Sequence, residues 1–133
     1  TALLPALHLC QEALHHVPAE YQDFIAGKTG LAPSHVYGVV SFYEMFTEKQ
    51  LGKYVIEVCK TLPCMLRGSE ALLEHLERKL GVKAGQTTTD KRFTLMTVEC
   101  LACCDGGPSM RVNHALYKDV SPSKADEILA GLE

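Results

Sequence analysis

The period of the hydrophobic positions changes once along this chain, close to residue 52. Before that point apolar residues recur at helical spacing. Leu3, Leu4, Leu7 and Leu14 predict a first helix over about residues 2–15. Pro18, followed by Ala19, Glu20 and Tyr21, opens a second helix that Gly27 or Gly30 ends, because proline suits a first helical turn and glycine the position past the last. Pro33 and Ser34 start a third, whose apolar face is drawn from Val36, Val39, Val40 and Phe42 or Tyr43, with Gly38 weakening it modestly. Residues 1–50 therefore predict a small helical, hairpin-like unit.

From residue 53 the pattern is different. Residues 53–58, KYVIEV, are short, β-branched and aromatic with no helical period, and predict a strand. Ser69 is positioned to cap a helix over about residues 70–80, with Leu72, Leu73, Leu76 and Leu80 inward and Gly81 closing it. Residues 93–98, FTLMTV, predict a second strand. Residues 109–113 and 115–117 flank an Asn-His pair and predict a hairpin, on a weaker turn signal than Asn-Gly. Ser121 as cap, Pro122 in the first turn, and Ala125, Ile128, Leu129 and Leu132 on one face predict a final helix. Strand, helix, strand, strand, strand, helix is the order of a thioredoxin-like α/β domain, here residues 51–133: a right-handed β-α-β unit, a hairpin, and a helix packed on the sheet.

Composition narrows the function. Hydrophobic residues make up 47% of the 133, charged ones 22%, and the net charge is -3. There is no basic stripe for nucleic acid or anionic lipid. No apolar run approaches the roughly 18 residues of a membrane span, so direct membrane insertion is not expected. Six cysteines in a chain without a secretory leader pattern point to metal or redox chemistry rather than a disulfide framework, and to the cytoplasm.

Five of those cysteines fall in two short stretches, 59-CKTLPC-64 and 100-CLACCDGGP-108, each directly after a predicted strand. Strands of a β-α-β unit are parallel, so the loops leaving their C-terminal ends emerge at one edge of the sheet. Four thiolates in two pairs suit zinc, an iron–sulfur cluster or two disulfides. Within the second stretch, Cys100 pairs with Cys103 as C-x-x-C or with Cys104 as C-x-x-x-C. The wider 59-C-x4-C-64 spacing leans toward a cluster. Other motifs carry less. Cys10, beside Leu7 and Leu14, reads as a small core residue. His15 and His16 are adjacent on a helix and point apart. Gly27-Lys28-Thr29 lacks the earlier glycine of a phosphate loop, and no acid–base or Ser-His-Asp set is evident.

Nearly the whole chain resembles a known family, the small [2Fe-2S] subunit (NuoE type) that accompanies the NADH-oxidising flavoprotein of respiratory complex I. The resemblance runs through 36-VYGVVSFYEMF-46, 52-GKYVIEVCKTLPCMLRGS-69, 80-LGVKAGQTTTDKRFTLMTVEC-100 and 108-PSMRVN-113. It implies that Cys59, Cys64, Cys100 and Cys104 ligate one [2Fe-2S] cluster, with Cys103 left out and no catalytic residue in this chain. It implies a one-electron carrier in NADH:quinone oxidoreductase, with FMN and NADH on the partner flavoprotein, the helical unit as docking element, and a place peripheral to the inner membrane through the complex in a bacterium. Family chains commonly extend further at both ends, so the resemblance also implies a trimmed core. Equivalent subunits serve NAD-linked hydrogenases and formate dehydrogenases; a thioredoxin-like thiol oxidoreductase using Cys100 and Cys103 and a zinc-stapled interaction module are readings of other classes.

Two expectations concern the cluster's surroundings. Lys60, Arg67 and Arg111 lie close enough in sequence to offset a cluster's negative charge, and Gly106 and Gly107 allow close backbone approach to the sulfurs. Ala102 stands where the family has glycine. The expectation is a loop adapted to keep residue 102 at negative φ, with Gly106 and Gly107 absorbing the change.

Overall fold

The computed structural model describes residues 1–132. The chain divides into two compact units, Thr1–Leu51 and a second from Gly52 onward.

The first unit holds three helices, α1 (Leu3–Leu14), α2 (Ala19–Thr29) and α3 (Pro33–Phe42). Gly30, at φ 70, ends α2 with its N–H on the Ala26 carbonyl. Leu3 and Leu7 of α1, Ile25 and Ala26 of α2, and Val36 and Val40 of α3 bury one core together with Val17 and Phe46. The expected contribution of Phe42 or Tyr43 to that core is not found. Phe42 is 76% exposed and Tyr43 39%. Two residues beyond Val40, Phe42 has turned about 200° around the helix axis and faces away. Helix α3 ends there, and a turn in which the Phe46 N–H meets the Tyr43 carbonyl brings Phe46 back into the core.

The second unit is a five-stranded sheet in the order β2-β3-β1-β4-β5: β1 (Tyr54–Cys59), β2 (Gln86–Thr87), β3 (Phe93–Val98), β4 (Met110–Val112) and β5 (Ala115–Tyr117). Three helices join it, α4 (Leu62–Leu66), α5 (Ser69–Leu80) and α6 (Pro122–Ala130). Strand β1 lies at the centre, parallel to β3 and antiparallel to β4. Ile56 and Val58 of β1, Leu95 of β3, Met110 and Val112 of β4, Leu72 and Leu76 of α5, and Ala125 and Leu129 of α6 form one core. Both helices thus bury their apolar stripes against the inward residues of the sheet.

Local chemistry accounts for the ends. Ser121 caps α6 as expected, its hydroxyl accepting from the Lys124 N–H at 3.2 Å. Ser69 does not cap α5; Gly68 holds that position at φ 100, and the Ser69 side chain is buried instead. Only glycine takes such a φ readily, which is how the chain turns so sharply from α4 into α5. The modest Asn-His turn is reinforced by Asn113, at φ 52, whose side chain accepts from the Val55 N–H and donates to the Lys53 carbonyl.

Candidate metal centre

The register of β1 on β3 fixes where the cysteines meet. Cys59, the last residue of β1, lies opposite Val98, the last residue of β3. The Lys60 N–H then bonds the Val98 carbonyl at 3.0 Å, and the Cys59 N–H bonds the Ser109 carbonyl at 3.2 Å. Both cysteine loops therefore leave from one sheet edge, and the third segment, 107–109, closes the same corner. In the first loop Pro63 helps open the short helix α4, which carries Cys64 inward.

The four expected ligands form two unlike pairs. Cys59 and Cys64 are buried, each 1% exposed, whereas Cys100 and Cys104 are exposed, with their sulfurs 3.6 Å apart. Burial pushes the Cys59 thiol up, but hydrogen bonds from the Thr61 hydroxyl and N–H, the Cys64 thiol and the Leu101 N–H outweigh it and bring the pKa down to about 7. Cys104 moves the other way. Its hydrogen bond with Cys100 raises it first, then the charge of Cys100, then smaller contributions from burial, Cys64 and Cys59. The four sulfurs are near enough to repel one another as thiolates, and a cation among them removes that repulsion.

The donors suit a two-metal group better than a single ion. Two thiolates about 2.3 Å from one tetrahedral metal lie roughly 3.8 Å apart, close to the Cys100–Cys104 separation. Among the described residues no three Cys, His, Asp or Glu side chains gather around a point that one metal ion could occupy. A [2Fe-2S] cluster asks only for two donors on each of two irons. Backbone N–H groups already point at sulfur, that of Ala102 at Cys100 over 3.2 Å and that of Leu101 at Cys59. Cys103 faces inward, 3% exposed, away from the exposed pair on either side of it. Cys10 packs at the edge of the helical core, its thiol toward the His16 carbonyl.

Three sequence expectations are corrected here. Ala102 sits at φ 58, in the left-handed region, so the loop has kept the backbone a glycine would take. The glycines expected to absorb the change are committed elsewhere. A Cβ on Gly107 would lie 3.3 Å from the Cys64 sulfur, and one on Gly106 would strike the Lys118 side chain at 2.8 Å. Close approach to sulfur thus holds for Gly107, while Gly106 makes room for Lys118. Of the three cations, Lys60 pairs with Glu99 at 3.2 Å and Arg111 with Glu57. Arg67 reaches the second loop as well, its guanidinium donating to the Asp105 carbonyl at 3.2 Å and facing Asp119 at 3.7 Å. Lys118, which no sequence signal marks, pairs with the Asp105 carboxylate at 3.0 Å.

An α/β sheet whose central parallel strands are each followed by a cysteine pair at one corner defines a protein with a multi-thiol site in its loops. The chain belongs to the thioredoxin-like [2Fe-2S] ferredoxin family, whose sequence profile matches residues 1–133. It is 38% identical over 134 residues to an NADH-quinone oxidoreductase subunit of Rickettsia conorii, covering 100% of this chain and 80% of that one. It is 37% identical over 129 residues to an NADH-quinone oxidoreductase subunit of Rhizobium meliloti, covering 97% and 77%. The fold matches a crystal structure of NAD+-reducing [NiFe]-hydrogenase in the H2-reduced state with a TM-score of 0.86 at 23% identity, over 99% of this chain but only 23% of that one.

Proposed function

We propose that this chain is the one-electron-carrying subunit of an NADH:quinone oxidoreductase, with Cys59, Cys64, Cys100 and Cys104 as the ligands of its [2Fe-2S] cluster. The observation that carries the ligand set is the meeting of two thiol pairs at the edge where β1 and β3 end. Relatives that carry the NADH-quinone oxidoreductase name, two of them at 37–38% identity, support the parent complex; the hydrogenase likeness extends to the fold alone.

When bound, such a cluster accepts and returns one electron. The residues of this chain do the rest. Cys59 and Cys64 hold the inner side away from water, Cys100 and Cys104 hold the side open to solvent, and the N–H groups of Leu101 and Ala102 take up part of the negative charge on sulfur. Arg67 and Lys118 fix Asp105 directly after Cys104 and add two positive charges to that loop. The family resemblance supports a flavoprotein that binds FMN and NADH as the electron partner, with the helical unit of residues 1–50 as the docking element.

The purified protein should be brown, with about two irons and two acid-labile sulfides per chain, and should give an S = 1/2 EPR signal on reduction. Stoichiometric zinc in a colourless protein would sink the reading. Alanine at Cys59, Cys64, Cys100 or Cys104 should lose or degrade the cluster, while Cys10→Ala and Cys103→Ala retain it. Without its partner the protein should not oxidise NADH with artificial acceptors, and substantial activity in a flavin-free preparation would refute that division of labour.

A further inference from the structure

Ser109 is 1% exposed, a position where a hydroxyl is costly unless it is hydrogen-bonded. Its Oγ lies 3.4 Å from the Cys64 sulfur. The same residue's carbonyl accepts from the Cys59 N–H, so Ser109 touches both inner cysteines, one through its backbone and one through its side chain. Cys59 carries a matching contact, with the Thr61 Oγ1 3.1 Å from its sulfur. Cys59 and Cys64 thus each have a hydroxyl on the sulfur. The two exposed cysteines have the Ala102 N–H, each other and solvent.

In the free thiol either atom of such a contact can donate. A cysteine that binds metal has given up its proton, and the hydroxyl then holds the only proton in the contact. We propose that Ser109 and Thr61 are positioning and tuning residues: their hydroxyls donate to the Cys64 and Cys59 sulfurs and raise the reduction potential of the cluster these cysteines hold. The inference rests on the ligand set proposed above. Reduction adds one negative charge to the group, and a donor on sulfur stabilises the more negative state more than the less negative one. On the exposed side water supplies such donors. On the inner side water is shut out, and the protein supplies them itself.

The test is an EPR-monitored redox titration of the full-length holoprotein and of Ser109→Ala, Thr61→Val and Thr61→Ser. Each of the first two should make one-electron reduction roughly tenfold less favourable, a potential about 59 mV more negative. Thr61→Ser, which keeps the hydroxyl, should stay near the wild type. A merely structural role would move the unfolding midpoint and leave the potential alone. Unchanged potentials in Ser109→Ala and Thr61→Val, at full iron content, overturn the proposal. Should Ser109→Ala fail to hold the cluster, Thr61→Val and the wild type in deuterated water decide it. Exchange of the hydroxyl protons should shift the metal–sulfur vibrations of the wild type but shift them less in Thr61→Val; equal shifts count against the proposal. A colourless or zinc-loaded wild type would refute the ligand reading itself before any variant is compared.

Discussion

Ala102 places a methyl group where the backbone asks for none. At φ 58 an alanine carries roughly 1–2 kcal/mol of strain that glycine does not, while glycine loses about 0.5–1 kcal/mol more in ordering the chain. Ala102→Gly should therefore stabilise the holoprotein by about 0.5–1 kcal/mol with unchanged iron content, as read by denaturant unfolding; a loss of stability would show the strain to be absent. The choice of Cys104 over Cys103 rests on the family resemblance, but the meeting of the two cysteine stretches was legible in the sequence, because each directly follows a strand and strand order dictates where their loops emerge. The backbone of residue 102 was not. Two glycines nearby suggested freedom to adapt, but Gly106 makes way for Lys118 and Gly107 packs on Cys64, and neither use is visible without the fold. Ser109 was legible only as a strand residue, because nothing in the sequence says which way its hydroxyl points.

The elements that could be read from the sequence are those long enough to show a period. Helices α1, α2, α5 and α6 bury residues three and four apart, and β1 and β3 match their β-branched runs. Helix α4 has five residues and β2 only two, too few to carry a periodic signal, and both are placed by tertiary contacts. One close approach ties the start of β1 to β3. The Gly52 N–H donates to the buried Thr94 hydroxyl at 2.7 Å, and a Cβ on Gly52 would lie 2.8 Å from the Phe93 carbonyl carbon. Because the obstacle is backbone, Gly52→Ala should cost about 2 kcal/mol, measured as a fall in unfolding free energy. Between α5 and α6, Asp126 accepts from Lys79 and His75, each at 2.8 Å. Lys79 first and His75 second hold its pKa below the ordinary aspartate value. With the folded value under the unfolded one of about 3.9, this contact stabilises fully above about pH 4 and is lost as pH falls through the folded pKa. The gap in unfolding free energy between wild type and Asp126→Asn should accordingly be present at neutral pH and shrink in acid. A gap that widens on acidification would contradict this sign.

At the scale of the whole molecule, the helical unit and the sheet each have a core of their own, and the thiols of the candidate site gather entirely within the second. That gathering depends on one parallel strand pair whose partners are joined by a crossover through α4, α5 and β2. Each cysteine pair is local, closing four or five residues, but joining the pairs needs the whole crossover in place. During synthesis a ribosome would have to release the chain past Cys104 before the second half of the site existed, so iron offered earlier meets only two thiols. Late pairing of distant segments is also the slow part of folding a sheet. On the proposed ligand set, colour then reports the sheet: in denaturant, the visible absorbance and the far-ultraviolet strand signal should vanish over the same range. Separate transitions would mean that one loop can keep the metal group without the other.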